Sequence, residues 1–224
     1  MFVHVRPSSA IAASETAPYL KAKFGPRAGH PIIEAVYDAS DLELVPLADL
    51  RPTQMAVGMR AVAARRRKIE QRVESTRKLR RYIEKRPIPA VLGPNDEFYI
   101  IDRHHLGLAL WQSEVEDAFV RVVGDLSDLP QRSFLRCMTV MGLMHSYVAK
   151  GEKICPTRLP DRLDQLRSDR YRDLAWSVRE AGGFRKSLVP FSEFAWANFF
   201  RERIAPSYVH RNFERAHDRA MAFA

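Results

Sequence analysis

The sequence predicts an α+β fold: a small mixed sheet followed by an all-helical C-terminal half. Three observations predict it. Four short apolar runs, Leu42–Leu47, Pro87–Leu92, Glu97–Ile101 and Asp117–Val123, are bounded by turn residues and read as strands. After Pro130 the apolar period becomes helical and stays so. A chain of 224 residues with 46% hydrophobic content is long enough to bury a core without staples. The expected organisation is an irregular lead-in over 1–41, an α/β unit over 42–130 and a helical region over 131–224.

Residues 1–40 carry four prolines and two glycines, which preclude a long helix and leave a short strand or turn at Pro31–Val36. Leu42–Leu47 contains Pro46 and reads as an edge strand. Arg51-Pro52-Thr53-Gln54 is a turn, with Thr53 expected to cap the helix that follows. Met55–Lys85 is a long helical pattern rich in Ala and Arg, either unbroken or split near Ser75. Gly93-Pro94-Asn95-Asp96 joins the next two strands into a hairpin. A short helix is expected over Leu106–Gln112, then the third strand of this group at Asp117–Val123. Beyond Pro130, Phe134, Met138, Met141, His145 and Val148 share one helical face, up to an end at Lys150-Gly151. Further helices are expected over Pro160–Ala181, Pro190–Ile204 and after Pro206.

The charge is uneven. The whole chain is +9, from 36 Lys and Arg against 27 Asp and Glu. Between Arg51 and Arg86 alone, thirteen Lys or Arg face three Glu, a local net of +10. Such a patch attracts polyanions, and it also serves as a solvated helix face. Arg65, Arg66, Arg67 and Lys68 are its densest run and the candidate contacts to a nucleic-acid backbone. No uncharged apolar run reaches the length of a membrane span, and Met1–Leu20 lacks the basic-then-apolar pattern of a secretory leader. A cytoplasmic protein with no membrane partner is expected. Cys137 and Cys155 form neither a CxxC pair nor a metal cluster, so reduced thiols and no bound metal are expected. There is no P-loop and no GxGxxG.

One constellation carries chemistry: a strand, then Asp102-Arg103-His104-His105, then a helix. The opening amides of a helix have no internal partners and share the positive end of its dipole, a setting suited to a phosphate. Asp102 is placed to cap that start. Arg103 adds a bidentate grip on phosphate oxygens. His104 and His105 titrate near neutrality and are the candidates for proton transfer, with Asp102 beside them. Adjacent helix positions diverge by about 100°, which argues against both histidines reaching one metal ion. His145 and the run Phe191, Phe194, Trp196, Phe199, Phe200 fit core packing at helical spacing.

The run LELVPLADLRPTQ, a helix, PIPAVL and then EFYIIDRHHLGLAL resembles the N-terminal domain shared by ParB and sulfiredoxin, over roughly residues 42–126. It looks closest to the ParB-like nuclease branch. The resemblance implies phosphate contacts at Asp102, Arg103, His104 and His105, and its Arg-Pro element implicates Arg51. It implies a nucleotide cofactor (ATP, ADP or CTP), with or without Mg²⁺. This chain has Asp-Arg-His-His where ParB proper has Gly-Glu-Arg-Arg, and it lacks the cysteine that sulfiredoxin places in the motif. Three readings follow. The first is a binder of a nucleotide or other phosphorylated ligand at 102–105, with phosphoryl transfer or nucleotide hydrolysis as its chemistry if it is an enzyme. The second is a DNA-associated protein or nuclease that uses the basic helix 60–86. The third is a non-catalytic interaction module.

Overall fold

The computed structural model describes residues 42–185 and 191–224. The expected lead-in, its short strand or turn and the helix start near Pro190 lie outside the described residues. The strands are β1 (Leu42–Pro46), β2 (Leu50–Pro52), β3 (Ala56–Val57), β4 (Ile88–Leu92), β5 (Phe98–Ile100), β6 (Asp117–Asp125) and β7 (Arg167–Ser168). Five of them form a mixed sheet in the order β1-β6-β4-β5-β2, while β3 and β7 make a separate parallel pair. The expected hairpin is β4–β5, with Leu92 opposite Phe98. Longer connections make the parallel pairs β2–β5 and β4–β6. The proline-bearing β1 is an edge, as its sequence predicts.

Strand alternation divides the sheet between two cores. Leu50, Ile88, Ala90, Ile100 and Val120 pack on α1 (Met59–Val73), α2 (Thr76–Glu84) and α3 (His104–Gln112). Val91, Tyr99 and Val123 pack with Phe134 and Met138 of α4 (Gln131–Val140). A third core lies among α5 (Arg170–Glu180), α6 (Ser192–Arg203), α7 (Pro206–Arg211) and α8 (Phe213–Met221), centred on Leu174, Ala197 and Phe200. The architecture is thus the α+β fold with a helical C-terminal part that the sequence predicts. Among the described residues no helix is long and apolar enough to cross a membrane.

Several local expectations are corrected. Thr53 is not a cap: α1 starts six residues later at Met59, and its N-cap is Gly58, without a side-chain bond. For the long basic pattern, the alternative split near Ser75 is the one found: the Ser75 hydroxyl accepts the Lys78 N–H and starts α2. The helix after Pro130 ends at Val140, not near Lys150. Gly142 adopts φ +66° and the Leu143 N–H returns to the Met138 carbonyl at 2.9 Å, a left-handed stop. His145 and Val148 therefore lie in a loop. The helix expected from Pro160 begins only at Arg170. Its first turn is capped by the Asp169 carboxylate, which accepts the Tyr171 N–H at 2.9 Å.

Candidate phosphate site

Residues 53–58 form a buried strap whose backbone is bonded to three other segments. The Thr53 N–H donates to His104 Nε2 at 3.1 Å, and the Thr53 carbonyl accepts the His145 N–H at 2.8 Å. The carbonyls of Met55 and Val57 accept the N–H groups of Arg167 and Asp169 at 3.0 and 2.9 Å. The Gly58 N–H donates to His105 Nε2 at 3.1 Å. Just beyond, the Arg60 N–H donates to Asp173 Oδ1 at 2.6 Å, so a carboxylate of α5 supplies the cap that Gly58 lacks. A β-carbon at Gly58 would come within 3.0 Å of Asp173 Oδ1 and of its backbone N.

These bonds define both histidines. Each Nε2 lone pair is engaged by a backbone N–H. Burial, with Arg172 adding to it, lowers the His104 pKa to about 3 and holds His105 well below the usual value. In this arrangement both rings are neutral and tie the start of α3 to the strap. His145 is also held down, to about 4, by burial and by Arg172 and Arg201. It lies half-buried and stacks on Phe194 with ring centroids 3.6 Å apart.

The turn they support is cationic. Arg103 is the N-cap of α3, at φ +62°, and no side chain caps the helix start. Asp102 instead accepts the Arg103 N–H at 2.6 Å and is exposed, which corrects its expected place as the cap. Burial depresses the Arg103 guanidinium pKa; Asp102 relieves it, and Arg121, Arg86 and Arg65 depress it further. Arg65 is likewise depressed by burial and then by Arg179, while Tyr82 and Asp102 act the other way. The charges of Arg65 on α1, Arg86 just beyond α2 and Arg121 on β6 therefore all act on Arg103 at one helix start. An anion there relieves their mutual repulsion.

The other nominated residues separate. Arg65 faces the turn, bonded through Nη1 to the Ala61 carbonyl at 3.2 Å. Arg66, Arg67 and Lys68 are exposed, and Arg66 pairs with Glu70 at 2.9 Å. Arg51 is in register with Tyr99 and so belongs to the sheet face covered by α4, opposite the face that carries α3. There it pairs with Glu97 and, at 3.0 Å, with Asp161, in a cavity of about 700 Å³ also lined by Tyr99, Asp128 and Gln131. Among the described residues no group of three or more His, Cys, Asp or Glu is arranged to hold a metal. The sequence reading missed Asp169, Arg172 and Asp173. Their i, i+3, i+4 spacing was a visible signal of one helix face, but only the fold shows that this face is buried.

A mixed sheet that delivers a strand, an arginine-ringed turn and a helix, strapped to C-terminal helices, defines a ParB-like α+β protein. A family model described as "Putative ParB-like nuclease" matches residues 44–202, from β1 to the last turn of α6, and the chain belongs to that family. It is similar to the crystal structure of protein Atu1540 from Agrobacterium tumefaciens, with 34% identity over 81% of this chain and 90% of that one and a TM-score of 0.74. No curated protein matches the chain.

Proposed function

We propose that this ParB-like protein binds a nucleotide through its phosphates at the turn 102–105. The observation that carries the reading is a helix start that no side chain caps, with Arg103 at its N-cap and the charges of Arg65, Arg86 and Arg121 acting on it. Phosphate oxygens would accept from the opening amides of α3 and from Arg103, while His104 and His105 hold those amides in place by anchoring the strap. Asp102, exposed beside the phosphates, is the acid–base candidate if the bound nucleotide is hydrolysed, and it is an oxygen ligand for any Mg²⁺ that arrives with the nucleotide. A second reading has one observation in its favour. Arg66, Arg67 and Lys68 extend the basic surface along the outer face of the helix that supplies Arg65, which suits a nucleic-acid backbone.

The test is a thermal-shift titration with ATP, ADP, CTP and GTP, with and without Mg²⁺, on the natural protein and on Arg103→Asn. Asparagine tolerates the left-handed backbone that position 103 requires and removes only the guanidinium. The expected result is stabilisation by at least one nucleotide, with affinity reduced about tenfold or more in the variant. If no nucleotide stabilises the protein, the reading fails. Salt-dependent DNA binding weakened by charge reversal at Arg66, Arg67 and Lys68 would then support the second reading.

A further inference from the structure

Arg51 lines a cavity of about 700 Å³ on the sheet face opposite α3, a volume typical of small-molecule sites. Its polar wall is gathered from separate parts of the chain. Arg51 lies on β2, Glu97 just before β5 and Tyr99 on it. Asp128 and Gln131 flank the start of α4, and Asp161 comes from the loop between α4 and α5. Three carboxylates stand against one guanidinium, a formal net of −2 in a chain whose total is +9.

A chain of hydrogen bonds holds this wall in place. Gln131 Nε2 donates to the Tyr99 hydroxyl at 3.3 Å, and that hydroxyl donates to Glu97 Oε2 at 2.9 Å. Glu97 Oε1 accepts from Arg51 Nη2, and Arg51 Nη1 reaches Asp161 Oδ1 at 3.0 Å. The Tyr99 ring packs on Phe134 with centroids 4.5 Å apart. A carboxylate oxygen accepts up to two hydrogen bonds, and these contacts use one site on each oxygen they reach. Glu97 and Asp161 therefore keep acceptor capacity in an arrangement already fixed before a ligand arrives. Arg51 shows what the carboxylates select: a cation that carries N–H donors. Its bond to Asp161 is exchangeable, because Asp161 is 77% exposed and exposed ion pairs contribute little. Among the described residues no three such side chains are arranged to hold a metal, which favours an organic cation over a metal ion.

We infer that this cavity binds a small organic cation, one carrying a primary ammonium or a guanidinium group, through the carboxylates of Glu97, Asp128 and Asp161. The guest brings N–H donors and positive charge to a wall that offers acceptors and a net negative charge. It takes over or shares Asp161 while Arg51 stays on Glu97. A quaternary ammonium has the charge but no N–H and does not satisfy the wall. The cavity and the cationic turn 102–105 take ligands of opposite charge, so the site stands independently of nucleotide binding at the turn.

The full chain is titrated with agmatine and with putrescine, each against tetramethylammonium chloride at matched ionic strength, and the melting temperature is read. Agmatine carries a guanidinium and an ammonium, putrescine two ammoniums, so the pair separates the two head groups. The titrations are repeated on a chain with Asp128→Asn and Asp161→Asn, both exposed positions whose substitution leaves the cores intact. A control chain with Glu43→Gln and Glu84→Gln loses the same charge from exposed carboxylates that do not line the cavity. The expected result is stabilisation by one or both amines beyond tetramethylammonium. Affinity should fall about tenfold or more in the Asp128 and Asp161 variant and stay unchanged in the control. Stabilisation by neither amine beyond tetramethylammonium overturns the inference. So does an equal loss in the two variants, the mark of a general charge effect, and so does an undiminished response when Asp128 and Asp161 are replaced.

Discussion

At the scale of the residue, two kinds of titrating group oppose one another. His104 and His145 are held near 3 and 4 in the folded chain, below their ordinary value, so their stabilising contribution is present above about pH 6.5 and is lost as pH falls. Asp173 is pushed the other way, to about 6, by burial that its bond from the Arg60 N–H only partly offsets. A raised carboxyl pKa stabilises the fold below about pH 4, and that contribution is lost as pH rises through 6. Asp173→Asn keeps an amide oxygen for the Arg60 N–H and never ionises. Relative to the natural protein, the variant is expected to gain stability between pH 4 and 7 and then level off, by about 1–3 kcal/mol. Urea denaturation of both proteins across that range measures it, and the histidine contributions, common to the two, cancel in the difference. None of this was legible in the sequence. Residues 102–105 announced themselves by their strand–helix context, but a histidine looks the same in sequence whether it moves protons or accepts a backbone N–H. Only Thr53 and Gly58, which lie 51 and 47 residues away from their histidine partners, decide between the two.

At the scale of the element, turns and alternation were readable and helix ends were not. The β4–β5 hairpin followed from Gly93-Pro94-Asn95-Asp96, and the Gly93 N–H closes it on the Glu97 carbonyl at 2.9 Å. The glycine is required for a further reason. A β-carbon at position 93 would sit 2.6 Å from Tyr99 Cε2 and 2.9 Å from Phe134 Cζ, inside a ring pair whose centroids are 4.5 Å apart. Gly93→Ala is therefore expected to cost about 1–3 kcal/mol through overpacking, read as a lower denaturation midpoint at unchanged slope. The helices expected to run to Lys150 and from Pro160 were overextended because periodicity ignores tertiary hydrogen bonds. The stretches up to Lys150 and from Pro160 were read as helical, yet the backbone at His145, Arg167 and Asp169 is bonded to the strap instead.

At the scale of the molecule, the basic excess read from Arg51–Arg86 divides into a crowded inner group around the turn and an outer group on the exposed face of α1. The composition showed the excess; the division depends on the rotation of α1 against α3, which composition does not encode. The strap has a consequence of a different kind, for the way the chain folds. Its partners are recruited from positions near 104, 145 and 168, and Asp173 closes the start of α1 from 113 residues away in sequence. Contacts of that span form late, after the entropy of closing long loops has been overcome. Neither the sheet nor the C-terminal helices can complete the strap alone, since a fragment ending at residue 130 leaves the Met55 and Val57 carbonyls buried without their donors. The two parts are accordingly expected to melt in one transition. Near-ultraviolet and far-ultraviolet circular dichroism should coincide through the denaturant midpoint, and the amides of Thr53 and Gly58 should exchange with solvent only by global opening. A protein assembled from two visibly different architectural parts would then behave, in its cooperativity, as a single one.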